Sequence, residues 1–197
     1  MMRDYVIMTD SCCDMTAALA EELELSVLPL SLHMGENVYR NWLDGREIGF
    51  QEFYAKIRSG QLATTSAVSV GEFTAEMRKI LSAGKDILCI NFSSALSATY
   101  QSASIAAQDL RRSSPTPKSW WWTPCAPLWP GAAGVPVRQG AAEGPVSGGG
   151  PRLCRGDQGK GLPLVYLDDL NHLKRGGRVS AATAFFGTML SIKPVMH

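Results

Sequence analysis

Small hydroxyl and carboxyl side chains gather where apolar runs of the sequence stop. Asp10-Ser11 follows Tyr5 to Thr9, Thr64-Thr65-Ser66 lies beyond Gly60, and Ser93-Ser94 follows the run Ile87 to Phe92, with Ser97 and Thr99 close behind. Hydroxyls, backbone N–H groups and helix N-termini at strand ends form anion sites. The residues around these clusters are apolar rather than lysine-rich, so a carboxylate on an apolar tail suits them better than a nucleotide. No G-x-x-x-x-G-K-[ST] loop is present, and the glycine-rich stretches Gly148-Gly149-Gly150 and Gly159-Lys160-Gly161 fall in a segment of abnormal composition. Cys12, Cys13, Cys89, Cys125 and Cys154 are odd in number and lack a C-x-x-C, so they read as reduced thiols. Nothing near Cys12-Cys13 in sequence favours a thiolate nucleophile, and His33, His172 and His197 have no metal-ligand spacing.

The elements that must position these clusters alternate. Tyr5 to Thr9 predicts a strand, Met15 to Leu25 a helix, Val27 to Leu32 a second strand, and Phe50 to Ile57 a helix with Phe50, Phe53, Tyr54 and Ile57 on one face and Gly60 as its stop. Ser69 caps a predicted helix from Val70 to Leu81, with Glu72 and Phe73 at first-turn positions. Ile87 to Phe92 is a third strand, and Ser97 or Thr99 opens a helix through Ala106 to Leu110. Such alternation implies an α/β fold with a parallel sheet, its ligand loops at the strand ends, and Thr64 to Ser66 as a polar loop near the same edge. Further on, Leu167 to Leu173 predicts an amphipathic turn ending in Lys174, Arg175 and Gly176-Gly177. Ser180 caps Ala181 to Leu190, and Ile192 to Val195 begins another strand.

The chain has 197 residues, 45% of them hydrophobic and 19% charged, with net charge +1, which excludes a disordered acidic tail and gives no nucleic-acid footprint. Arg3, Asp4 and Asp10 are wrong for a signal peptide, and no apolar run approaches the roughly 20 residues of a membrane span, so the expected location is cytoplasmic. The average conceals two compositions. Residues 112–163 hold nine of the eleven prolines, ten of the nineteen glycines and four of the five tryptophans. Bulky aromatics seek burial, so Trp120-Trp121-Trp122 does not suit a linker. Tryptophan has the single codon TGG; read one frame over, the three tryptophans and Thr123 give Val-Val-Asp, a buried parallel strand ending in an acid. Residues from about 112 to 163 are therefore read as out-of-frame translation, the alternative being a genuine Pro/Gly-rich insertion.

The sequence resembles the DegV family of fatty-acid-binding proteins. The resemblance rests on YVIMTDSCCD at 5–14, TTSAVSVGEF at 64–73, INFSSALSATYQSA at 90–103 and DDLNHLKRGGRVSAATAFFGTMLSIKPV at 168–195. It implies an N-terminal α/β lipid-binding domain over 1–163 and, over 164–197, the truncated start of a second α/β domain, the family continuing for roughly another third. It further implies a binding protein rather than an enzyme, without cofactor. Such a protein buries a long-chain fatty acid and presents its carboxyl group to a separate fatty acid kinase that makes the acyl-phosphate. On the matching positions, Thr65 and Ser94 hold the carboxylate with Ser66 in support. Asp10, Ser11, Ser97 and Thr99 are possible loop contacts, and Lys174, Arg175 and Arg178 a possible docking patch for the kinase. Two departures bear on the loops: the family's Thr-Ser-Gln-Pro-Ser is here Thr65-Ser66-Ala67-Val68-Ser69, and its Ser-Gly-Thr is Ser97-Ala98-Thr99.

Each assignment has a plainer alternative. Strand-end hydroxyls also cap helices, and Asp10-Ser11 also suits a structural Asx turn. Lys174 and Arg175 also suit a helix C-terminus. A serine hydrolase or acyltransferase built on Ser94 is the competing chemistry, and it lacks a visible G-x-S-x-G elbow or placed histidine. A non-functional fragment is the third reading.

Overall fold

The structure, a computed structural model, describes residues 4–92, 94, 96–113, 120–122, 165–166, 174–177, 180 and 195–196. The chain divides into two compact units, Met1–Gln158 and Gly159–His197. The first is built on a parallel sheet ordered β2-β1-β6-β7, with β1 Tyr5–Asp10, β2 Ser26–Leu28, β6 Asp86–Cys89 and β7 Trp120–Trp122. β1 lies at the centre, its Met8 opposite both Ser26 and Cys89. Both its faces are covered, which is why the run is apolar throughout instead of alternating. Met8, Ile87 and Cys89 pack with Phe73, Met77, Ile80 and Leu81 of α3 (Val70–Ser82) and with Ala103, Ala106, Ala107 and Leu110 of α4 (Thr99–Ser113). Ile7, Leu88 and Ile90 form the opposite face, with Tyr5 and Leu25 against them.

The cap of α3 explains where that helix starts. Ser69 Oγ accepts from the Glu72 backbone N–H, and Glu72 Oε2 accepts from Ser69 N at 2.9 Å, so two otherwise orphaned donors are satisfied reciprocally. α1 is shorter than the sequence suggests, Ala17–Glu22, with Thr16 as N-cap.

A second sheet departs from the sequence-based expectation. The run Val27 to Leu32 is not one strand: Pro29, which has no N–H to donate to a ladder, separates β2 from β3 (Ser31–Met34), and β3 joins a different, antiparallel sheet. That sheet is ordered β4-β3-β5, with β4 Asn37–Arg40 and β5 Ala63–Ser66. Gly35, at φ +60°, and Glu36 make the two-residue hairpin between β3 and β4, a connection that favours glycine first. Leu32 and Met34 are buried with Ile48, against Tyr39, Phe53, Ile57 and Ala63. Helix α2 (Phe50–Arg58) therefore splits its apolar residues. Phe53 and Ile57 face this small core, while Phe50 and Tyr54, expected on the same face, are 55% and 53% exposed.

In the second unit β8 (Val165–Tyr166) pairs antiparallel with β9 (Val195–Met196), the latter within the strand expected from Ile192 onward. Lys174 to Gly177 form a helical turn in which Gly177 N donates to Lys174 O at 3.0 Å. The predicted helices Leu167 to Leu173 and Ala181 to Leu190, and all of 112–163 except residues 112, 113 and 120–122, lie outside the described residues. Among the described residues no helix is long and apolar enough to cross a membrane.

Candidate functional site

The β1 terminus is the most connected point of the candidate site. Asp10 is fully buried, with 0% exposure, and both its carboxylate oxygens are taken by backbone donors: Oδ1 accepts from Cys12 N at 2.9 Å, an Asx turn, and Oδ2 accepts from Phe92 N at 3.0 Å. Burial pushes the carboxyl above its ordinary value, and the Phe92 and Cys12 hydrogen bonds act against that rise. Ser11, also buried, faces the other way along the sheet. Its N–H donates to Leu28 O at 3.0 Å, and its Oγ accepts from Leu30 N at 3.0 Å and from Asn41 Nδ2 at 3.3 Å.

Thr65 and Ser66 lie on strand β5 and not in a loop at the parallel sheet's edge, which corrects the expectation for Thr64 to Ser66. Both are exposed. Thr65 is opposite Leu32 and Ser66 opposite Ser31. Because side chains alternate along a strand, Thr65 shares the face of Leu32 and Met34, and Ser66 shares the other face with Ser31 and His33. On that second face His33 Nε2 and Ser66 Oγ are 2.8 Å apart. Arg40, which opposes Ser31, donates to Ser31 Oγ at 3.0 Å and pairs with Glu72 at the start of α3. The row Arg40, Ser31, Ser66 thus ties the sheet to the helix that follows β5.

Ser94 is exposed in the turn between β6 and α4. Ser97 and Thr99 bond each other, Oγ to Oγ1 at 2.9 Å, and Ser97 Oγ accepts from Thr99 N at 3.3 Å, while Thr99 is fully buried. This pair makes the entry to α4. Asn91 is buried just ahead of the turn and donates to Cys89 Sγ at 3.2 Å; its Oδ1, like Thr9 Oγ1, has no hydrogen-bond partner among the described residues. Lys174 and Arg175 are exposed in the second unit, and Arg178 lies outside the described residues.

Among the described residues no thiol is placed to act as a nucleophile. Burial raises the Cys12 and Cys13 thiols above their ordinary value, helped by the Asp10 charge, and raises Cys89 to about 12. Among the described residues no group of three or more His, Cys, Asp or Glu side chains is arranged to hold a metal. Arg40, Asn41 and Asn91 are residues near the candidate site that the sequence motifs do not single out, and His33, which the sequence excludes only as a metal ligand, joins them through Ser66; the alternation of Ser31 and His33 with the polar faces of β4 and β5 is the available signal for His33 and Arg40.

The chain is an α/β protein of the kind that gathers ligands beyond the carboxyl ends of parallel strands. It belongs to the DegV family, described as a family of uncharacterised proteins, whose profile it matches over residues 4–118 and 162–197. A DegV domain-containing protein of Clostridium perfringens is 32% identical over 197 residues, covering 100% of this chain and 67% of that protein. One from Lactococcus lactis is 30% identical, covering 98% and 66%. The chain thus spans about two thirds of the length of these relatives. Among solved structures, a DegV family protein from Thermus thermophilus, described by its fatty acid binding, is 30% identical with a TM-score of 0.77, covering 98% of this chain and 67% of that one. DegV of Bacillus subtilis, described as a fatty acid binding protein, is 25% identical with a TM-score of 0.74, covering 100% and 68%.

Proposed function

We propose that this protein binds a long-chain fatty acid, holding the carboxylate with the hydroxyls of Thr65 and Ser94. The observation that carries the reading is the placement of these two exposed hydroxyls. Thr65 is on the apolar face of the small sheet, and Ser94 is in the turn beyond a central parallel strand. Hydroxyl donors beside apolar surface match a ligand that is anionic at one end only, because a buried carboxylate without donors costs several kcal/mol. The fatty acid binding described for the Thermus thermophilus and Bacillus subtilis proteins supports the same ligand class. Ser66, on the other face of β5, acts in support through His33. Asp10, Ser11, Ser97 and Thr99 hydrogen-bond within the protein, so their part is to hold the turns.

The reading is of binding without turnover. The carboxyl group is presented to a separate ATP-dependent kinase, which transfers a phosphoryl group to it, with Lys174, Arg175 and Arg178 as the docking patch and residues from 164 onward beginning a second α/β domain. Mass spectrometry of the purified protein under denaturing conditions tests the first step: a co-purifying C14 to C18 acid at close to one per chain is expected, and repeated recovery of nucleotide, or of no ligand after incubation with stearate, overturns it.

A further inference from the structure

Two neighbouring residues at the β1 terminus reach in opposite directions, one to the turn that carries Ser94 and the other to the segment leading into β3, the ladder neighbour of the strand that carries Thr65. Asp10 Oδ2 accepts from the N–H of Phe92, two residues before Ser94. Ser11 Oγ accepts from the N–H of Leu30, one residue before Ser31, the residue opposite Ser66 in the antiparallel sheet. Asn41, the residue after β4, donates to the same Ser11 oxygen, and its own N–H donates to Leu30 O at 2.8 Å. The parallel and antiparallel sheets are separate hydrogen-bonded units. The side chains of Asp10 and Ser11 therefore tie the Ser94 turn to one side of β1 and the sheet bearing Thr65 and Ser66 to the other.

We infer that Asp10 and Ser11 are positioning residues that fix the spacing between the Ser94 turn and the Thr65 strand, and so set the protein's preference for a carboxylate over an uncharged head group. The inference rests on the fatty-acid reading above and adds to it which residues give the site its selectivity. Both side chains are buried and their acceptor oxygens are occupied by protein donors, so they act through the turns they hold. A carboxylate needs its two hydroxyl donors at a set separation, whereas an apolar tail is held by area and tolerates a shift of an ångström. Loosening the joint should therefore weaken recognition of the head group and spare the tail.

Asp10→Asn is the first variant. The amide keeps one acceptor oxygen and turns an N–H₂ group toward the other backbone donor, so one of the two turns is released. Ser11→Ala releases the Leu30 and Asn41 arm instead. Stearate and octadecan-1-ol are titrated into the full chain and each variant by calorimetry, and amide hydrogen exchange is followed on the unliganded proteins. The parent is expected to prefer stearate, and each variant to lose about tenfold or more of that preference while binding octadecan-1-ol as the parent does. Exchange should quicken at Phe92 to Thr99 in Asp10→Asn, and at Leu30 and Asn41 in Ser11→Ala. Equal losses for acid and alcohol, or an unchanged preference with exchange confined as in the parent, overturns the inference. A parent that binds the two ligands alike overturns the inference, and a parent that binds neither, while the exchange pattern is as expected, overturns the fatty-acid reading and leaves only a structural joint. Should Asp10→Asn fail to fold, Ser11→Ala and Asn41→Ala decide the question from the other arm.

Discussion

His33 Nε2 lies 2.8 Å from Ser66 Oγ, a diagonal contact across the β3–β5 ladder in which His33 itself stands opposite Thr64. The contact lies on the polar face of β5. A double-mutant cycle of His33→Ala and Ser66→Ala, read by urea unfolding, should give a coupling of about 0.5–1.5 kcal/mol, the ordinary net value of such a bond. The same cycle read by stearate affinity should show coupling of the same sign. Additive effects in both would mean that the contact does not orient Ser66.

Thr65→Ala and Ser94→Ala should each weaken stearate binding by about 1.5–3 kcal/mol, the range for hydrogen bonds to a charged group. Both positions are exposed, so unfolding free energies should stay within about 0.5 kcal/mol of the parent. Calorimetry and denaturant unfolding on the same samples separate the two effects. Parent-like affinity in both variants would remove the carboxylate from this place.

Phe73→Ala should cost about 3–5 kcal/mol, because the ring is 0% exposed between α3 and the parallel sheet and its removal leaves a cavity. Phe50→Ala should cost little by the same measure, although both residues sit in amphipathic helices. Its side chain is on the exposed side of α2, so urea midpoints should differ sharply between the two variants. A comparable loss in Phe50→Ala would show that something covers that face.

Glu72 gives stability a pH dependence of definite sign. Burial pushes its carboxyl up, but the Ser69 backbone and side-chain hydrogen bonds and the Arg40 charge together hold it below its ordinary 4.5. A depressed carboxyl contributes stability that is present above its unfolded value and lost as pH falls through the folded one. Asp10 acts oppositely: its carboxyl is raised above 3.8, so its contribution falls as pH rises from 3.8 through the raised value. Glu72→Gln should therefore flatten the acid limb of the unfolding free energy between pH 5 and pH 3, and Asp10→Asn should steepen it. A Glu72→Gln limb parallel to the parent's would place the Ser69 and Arg40 contacts out of the folded state.

Much of the frame was legible because its signals are local. The apolar runs at 5–9 and 87–92 announce strands, of which β1 extends one residue further and β6 stops at Cys89, and Ser69 with Glu72 three residues later announces the start of α3. The antiparallel sheet was not legible in the same way. β4 and β5 are four residues each and largely exposed, so they carry little of the apolar alternation that marks a strand, and only Pro29 and Leu30 separate β3 from β2. Gly35-Glu36 before Asn37–Arg40 is a local hairpin signal for part of that sheet. The clusters Asp10-Ser11, Thr65-Ser66 and Ser94 can be picked out by type, and the Asx turn at Asp10 can be read locally, but the long-range bonds of Asp10 and Ser11 cannot. Their partners Phe92 and Leu30 are 82 and 19 residues away, and they contribute backbone N–H groups, which every residue but proline carries.

The segment from about 112 to 163 yields the last expectation. β7 runs parallel to β6, with Trp120, Trp121 and Trp122 opposite Ile87, Leu88 and Cys89, all three of which are buried. A strand beside a buried parallel strand is normally a run of Val, Ile and Leu, chosen because β-branched side chains fit a pleated surface covered on both faces. Three TGG codons read one frame over, with the first two bases of Thr123, give Val-Val-Asp, which meets that description. The family profile stops at residue 118 and resumes at 162, so the chain leaves the family's pattern on one side of this segment and returns to it on the other. Two compensating single-base insertions or deletions would produce that outcome, one near each end of the segment. Resequencing the gene through codons 110 to 165 should find both. The frame-restored chain should then unfold more cooperatively and at a higher temperature than the chain as written, since proline removes ladder donors and glycine raises the entropy cost of ordering. An unbroken reading frame, together with slow amide exchange across Lys118 to Leu128 in the chain as written, would establish a genuine insertion.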